Sequence, residues 1–316
     1  MRGSADDRGR GGHPQGQRHP GYRAEAGVIH TGSVTIGAGA WIGETSVVDI
    51  GATIGDRAQL GHASCLPVGG RIPDGERWHG TPAEPATADY DTLPPAPCGH
   101  ARRVLYGTTQ ALSLLLVAAP LATGLSVLAL NDLPFLSRLL STGETTVARP
   151  LFYAEALLAS VAIFLGALAL GLVAMVTLPR LLALGLRPNR VYRLYGFHYW
   201  LHRVVARMTN VQFFTFLFGD SSYIVHYLKS LGYDLSHVHQ TGSNFGMSVK
   251  HDTPFLSHVG SGTMVSDGLS LINAEYSSTS FALSHTSVGA QNFLGNGIAY
   301  PSRAGPGTTA CSRPRS

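Results

Sequence analysis

Aliphatic residues recur at every sixth position early in the chain, at Ile36, Ile42, Val48, Ile54, Leu60, Leu66 and Ile72. Gly37, Gly43, Asp49, Gly55 and Gly61 follow five of them, and small residues return four places on, at Ala40, Ser46, Ala52, Ala58, Ser64 and Gly70. A flat two-sided sheet would alternate with a period of two. A period of six is the hexapeptide-repeat pattern, in which each hexad forms one face of a triangular coil and sends its apolar residue inward. About eighteen residues close one coil, so residues 28–90 predict a left-handed parallel β-helix of roughly two to three coils. A stack this short needs caps or a partner at its open ends.

The pattern then changes. Pro, Gly and Trp interrupt the period between residues 73 and 90, and a Pro-rich linker covers 91–103. Residues 111–130 and 157–178 carry no charged side chain. Both stretches match the hydrocarbon thickness of a bilayer, which predicts transmembrane helices over 104–130 and 151–178, with a kink at Pro120 and an external loop at 131–150. Arg102 and Arg103 precede the first span, while Arg180, Arg187, Arg190 and Arg193 follow the second. Positive flanks mark the cytoplasmic side. The expected topology is therefore multi-pass in the plasma membrane with both termini cytoplasmic.

Residues 179–237 are dense in aromatics, with Arg203 and Arg207 interleaved. That stretch reads either as an amphipathic helix at the membrane interface or as an aromatic-rich core helix. From 238 to 301 the repeat returns less regularly: Val259, Val265 and Leu271 are six apart, and Val288, Leu294 and Tyr300 resume the spacing. This predicts a second β-helix-like domain interrupted by a loop or insertion over 274–284. The expected fold is thus a mixed membrane protein, two left-handed parallel β-helix segments joined by an α-helical transmembrane pair. Residues 1–27 read as disordered or as foreign to the folded protein, and 302–316 as a polar tail.

Composition sharpens this picture. Charged residues make up 13% of the 316, against about 25% in a typical soluble domain. The net charge of +4 is small and dispersed, which suits membrane flanks better than a nucleic-acid footprint, so no nucleic-acid partner is expected. Cys65, Cys98 and Cys311 lie far apart with no ligand spacing, so neither structural zinc nor a disulfide scaffold is expected, and no other metal cluster is recognisable.

The order of features, together with WHGTPA at 78–83, KHDTPFLSHVGSGTMVSDGLSLINAEYSS at 250–278 and VGAQNFLGNGIAYP at 288–301, resembles a known family. This is the C-terminal membrane region of the poly-lysine-synthetase-like non-ribosomal peptide synthetases, with its tandem hexapeptide-repeat, acyltransferase-like domains and transmembrane helices. The match covers roughly residues 28–301. The resemblance implies a membrane-bound condensing part that joins amino acids into short isopeptide-linked homopolymers. The phosphopantetheine arm of a carrier domain, or CoA, would present the acyl donor. Its partners would be the lipid bilayer, the amino-acid substrate, and adenylation and carrier domains supplied elsewhere, with homo-oligomerisation left open. The sequence departs from the family in lacking those two domains and having fewer tandem repeats, which implies a fragment.

Amide formation from a thioester needs a base for the amine and donors for the oxyanion. Hexapeptide acyltransferases draw a histidine from a loop beside the coils. His251 is the leading candidate because Asp252 follows it and both lie in the motif; a surface-loop histidine is the other reading. His258, His285 and, in the first segment, His62 are further candidates. Asp267, Asn273 and Glu275 are candidates for binding a cationic amino-acid chain, although Asp267 also suits a coil corner, as do Asn292 and Asn296. Trp78, Gly80, Pro82 and Ala83 resemble the segment that lines the pantetheine arm in CoA-using transferases, and equally a turn that ends the coil. Two other functions stay open: a stand-alone acyltransferase using acyl-CoA, and a non-catalytic membrane scaffold.

Overall fold

Each aliphatic residue spaced by six ends a strand of only two residues: Thr35–Ile36, Trp41–Ile42, Val47–Val48, Thr53–Ile54, Gln59–Leu60, Cys65–Leu66 and Arg71–Ile72. Strands eighteen residues apart pair in parallel, so Ile36, Ile54 and Ile72 form one row, Ile42, Leu60 and Trp78 a second, and Val48 and Leu66 a third. Val48, Ile54, Leu60, Leu66 and Ile72 are buried in one apolar cluster with Ala40, Ala52 and Ala58. Each large side chain so buried contributes about 1.5–3 kcal/mol. Between neighbouring strands of a row the backbones come very close. A Cβ on Gly43 would lie 2.4 Å from the backbone nitrogen of His62, so only glycine admits that approach.

In the computed structural model, residues 22–132, 150–219, 221–235, 239–240, 250–266, 268–295, 297–302 and 311–312 are described. The chain divides into two units, Met1–Pro97 with Pro179–Ser316, and Cys98–Leu178. Both strand-bearing segments therefore belong to the same unit. The expected pair of left-handed β-helices is overturned. The described strands are distributed over eight small sheets of two to four strands, parallel in some pairings and antiparallel in others. The reason is local. In the second segment, parallel partners such as His258 and Ser287, or Met264 and Phe293, stand twenty-nine residues apart, so long excursions separate the paired strands. The excursion expected at 274–284 is an antiparallel hairpin, Ala274–Tyr276 with Ser280–Leu283, and Val191–Arg193 adds to its edge. Tyr22–Glu25 also pairs antiparallel with Val28–Thr31, through Ala26 and Gly27 at φ 48° and 80°. The expected disorder at 1–21, the loop at 133–149 and the tail beyond 302, apart from Cys311–Ser312, lie outside the described residues.

Three helices follow in the same unit: α4 (Phe197–Thr209), α5 (Gln212–Gly219) and α6 (Tyr223–Leu231). Helix α4 buries Tyr199, Leu201, His202 and Val205, and α6 buries Ile224, Tyr227, Leu228 and Leu231. Gly232 ends α6 in the left-handed conformation at φ 119°, where glycine is the favoured residue. Phe197, Phe213, Phe216 and Tyr223 are exposed. The aromatic stretch thus supplies both a core face and an outward apolar face.

The remaining unit takes in α1 (His100–Ser113), a π-helical turn (Leu114–Ala118), α2 (Ala119–Asp132) and most of α3 (Pro150–Ala183). The π turn ends two residues before Pro120, whose missing N–H interrupts the helical ladder. Two helices, His100–Leu128 and Leu151–Ala183, are long and apolar enough to cross a membrane. At 1.5 Å per residue they extend about 43 and 49 Å, against a hydrocarbon core of about 30 Å. Their leucines, among them Leu114, Leu115, Leu116, Leu158 and Leu170, are exposed, a surface that hydrocarbon accommodates and water penalises.

Candidate functional site

The eighteen-residue register builds one wall of a cavity. Trp41, Gln59 and Arg77 form an outward row on neighbouring strands. The segment after the last strand is fastened across that row: Arg77 pairs with Asp89 at 2.7 Å, Gln59 Nε2 donates to Asp89 at 3.0 Å, and the Tyr90 N–H donates to Gln59 Oε1 at 2.8 Å. These bonds lay the Tyr90 ring on Trp41, with centroids 5.2 Å apart and planes within 13°. The Gln59 hydrogen bond first, then the Asp91 N–H and Arg77, hold the Asp89 carboxyl below its usual range.

A cavity of about 290 Å³ opens beside this wall, lined by Trp41, Glu44, His62, Asp89, Tyr90 and Thr92, and by Glu275, Tyr276 and Ser302 from the second segment. Its volume sits at the small end of ligand sites, suited to an amino-acid-sized molecule. Lys250 reaches Glu44 at 3.4 Å. Burial nevertheless raises the Glu44 pKa, outweighing the opposing charges of Lys250 and Arg203. Behind the cavity, Asp252 Oδ2 accepts the N–H groups of Asn273 and Ala274, both at 3.1 Å. Burial, and then the Glu44 charge, push Asp252 up to about 7. Tyr276 shares a 2.7 Å hydrogen bond with His202 Nε2, and burial raises its hydroxyl well above the ordinary value.

His62 lies in the cavity wall with its ring edge-on to Trp41, centroids 5.1 Å apart. Its Nδ1 accepts the Glu44 N–H at 2.9 Å. Part of the ring meets the cavity and the rest is enclosed, and this burial, followed by the nearby His79, lowers its pKa to about 4.

The other sequence candidates fall in different places. His251 is buried and does not line the cavity. Lys250 and His251 form a strand, where successive side chains face opposite ways. Lys250 points to Glu44, so His251 faces inward. There its ring stands at 90° to Tyr233, with centroids 5.0 Å apart, and neither ring nitrogen has a hydrogen-bond partner among the described residues. Asp252 spends its carboxylate on backbone N–H groups rather than on His251. Asn273 is fully buried and hydrogen-bonded at both ends: its amide donates to Leu256 and Thr286, and its oxygen accepts from Ser257 and Thr253. It stiffens the wall and has no group left for a ligand. Glu275 does line the cavity and accepts from Ser302 at 2.8 Å. Asp267 and Asn296 lie outside the described residues.

His258 is paired with Asp234 at 2.7 Å on the surface, and His285 is exposed. Trp78 packs against the first apolar cluster and donates to Glu76, Ala83 belongs to that cluster, and the Gly80 N–H is held by Ser64. Trp78, Gly80, Pro82 and Ala83 are all outside the cavity lining. Among the described residues no group of three or more His, Cys, Asp or Glu is arranged to hold a metal ion.

The site thus gathers Glu44, Trp41, Asp89, Tyr90 and Tyr276, none of which motif reading picked out. One signal was available: Glu44 precedes His62 by eighteen residues, one full repeat of the paired rows. Chemically, carboxyl groups beside aromatic faces favour a cationic or amine ligand, and a carboxylate of raised pKa is a stronger base than an exposed one. No protein-family model matches the chain, and no curated protein matches it either.

Proposed function

We propose that the chain is a membrane-associated amide-forming acyltransferase, the condensing part of a synthetase that joins amino acids from a pantetheine-bound thioester. The observation that carries this reading is Glu44, a carboxyl group whose pKa burial raises in the wall of a small cavity that Trp41 and Tyr90 also line. In such a reaction the amine nitrogen bonds to the carbonyl carbon and the carbon–sulfur bond breaks. The incoming ammonium group first gives one proton to solvent to become the nucleophilic amine, and the second proton, lost on attack, passes to Glu44 and then to the departing thiolate. Asp89 and Glu275 attract the ammonium group of the incoming amino acid, and Trp41 and Tyr90 offer it their π faces. An adenylation and a carrier domain on another chain would supply the loaded donor.

The test uses the full chain in membrane vesicles, offered amino acids as thioesters on CoA and on a carrier domain, with amide product measured by mass. Product from the carrier-bound donor is expected. Product from the CoA ester alone would assign the acyl-CoA alternative, and no amide from either donor would leave the scaffold function instead.

The chain is further proposed to cross the plasma membrane twice with both termini cytoplasmic, on the strength of the arginines flanking the apolar helices. Reporter fusions at each end should both report the cytoplasm. A signal from outside at either end would overturn this topology.

A further inference from the structure

We infer that His62 is a carbonyl-binding group, a neutral imidazole that offers its Nε2–H to the acyl oxygen of the substrate and does not serve as the base. The identity of that oxygen rests on the amide-forming reading; the protonation state of the ring does not. A backbone amide can only donate. The 2.9 Å contact from the Glu44 N–H therefore requires a bare lone pair on Nδ1, and a neutral imidazole must then carry its proton on Nε2. Protonating Nδ1 as well would set two donors against each other at that distance.

The ring has little freedom to escape. Trp41 stands perpendicular to one side at 5.1 Å and Tyr90 at 6.2 Å. The His62 backbone is pinned against Gly43, where even a methyl group has no room. Nε2 has no hydrogen bond to any described residue, and the ring lines the cavity. The ionisable groups facing His62 are Glu44, which follows the preceding strand of the same row, His79 from the following strand, and Tyr90. Burial and the neighbouring His79 oppose a positive charge on the ring, with the pKa lowered to about 4, so the neutral form persists through the physiological range. A fixed N–H aimed at a developing oxyanion stabilises it more than mobile water does. This arrangement also divides the labour: Glu44 takes the proton and His62 holds the oxygen.

Nitrogen-15 NMR of the full chain, with histidine labelled and the His62 signals assigned by their loss in His62→Gln, tests the state of the ring. The expected result is the Nε2–H tautomer with no titration between about pH 8 and 5. An Nδ1–H tautomer, or titration near the ordinary histidine value, would overturn the inference whether or not the chain turns over a thioester. With turnover in hand, His62→Ala should cost about 10²–10³-fold in kcat. His62→Gln, which keeps a donor, should recover most of that loss, and the acid limb of the pH–rate profile should stay in place in both. Disappearance of that limb would make His62 the base and sink the proposal.

Discussion

Glu44→Gln is expected to lower kcat by about 10²–10⁴-fold, the range that a positioned general base contributes, with the fold intact. Glutamine keeps the size of the side chain and its polar oxygen, so the cavity wall is preserved. What it removes is an ionisable carboxylate that lines the cavity, is buried enough to have a raised pKa, and sits next to a lysine. Lys250 is 41% exposed, so losing its partner leaves its charge solvated and costs little stability. The signature separates chemistry from binding. A loss in kcat with KM nearly unchanged means that the proton acceptor has gone. A rise in KM alone would make Glu44 an ammonium-binding group. Full turnover would remove it from the mechanism. Because burial raises the Glu44 pKa, the acid limb of the wild-type pH–rate profile should lie above the range of an exposed carboxylate, and the variant should lack it.

The site was only partly legible in the sequence, and the reasons are geometric. Periodicity correctly identified which residues turn inward: Val48, Ile54, Leu60, Leu66 and Ile72 are all buried. Their order in sequence could not show that the strands would divide into eight small sheets, nor that the two segments would share one unit. Those outcomes depend on excursions such as the hairpin at Ala274–Tyr276 and Ser280–Leu283, whose antiparallel pairing leaves no trace in a period of six. Adjacency misled at His251 and Asp252. The strand ends at His251, whose ring meets Tyr233, while the Asp252 carboxylate turns to the Asn273 and Ala274 N–H groups, so the two side chains that looked like a base with its orienting carboxylate have different partners. The relation that shapes the cavity wall is at distance eighteen, where Glu44 and His62 meet through backbone and ring. Tyr90 could not be placed from the sequence at all, because a linker tyrosine finds Trp41 only through the Gln59, Arg77 and Asp89 bonds that fasten it.

The buried ring of His251 should govern how acid affects the fold. Its pKa is about 3 in the folded chain, lowered by burial from 6.5. Above 6.5 the ring is neutral whether folded or unfolded, and contributes no pH dependence. Between 6.5 and about 3 the unfolded chain binds a proton that the folded chain refuses, so stability falls as pH falls, by roughly 1.4 kcal/mol per unit for this one group. His62, lowered to about 4, adds a slope of the same sign. Asp252 works the other way: raised from 3.8 to about 7, it holds a proton in the folded chain that the unfolded chain has already lost, and so stabilises the fold as pH drops from 7 to 3.8. The two effects partly cancel in the wild type, which makes a difference measurement the decisive one. His251→Leu removes one histidine term and leaves Asp252 in place. At neutral pH the variant should be at least as stable as the wild type, since neither ring nitrogen has a hydrogen bond to lose among the described residues. On acidification its advantage should grow through the window from 6.5 downward, towards about 4 kcal/mol near pH 3.5. Denaturation midpoints of both proteins in one detergent across that range measure it. Parallel curves would mean that the His251 ring is protonated or solvated in the folded chain, and the inward-facing strand geometry at Lys250–His251 would then be wrong.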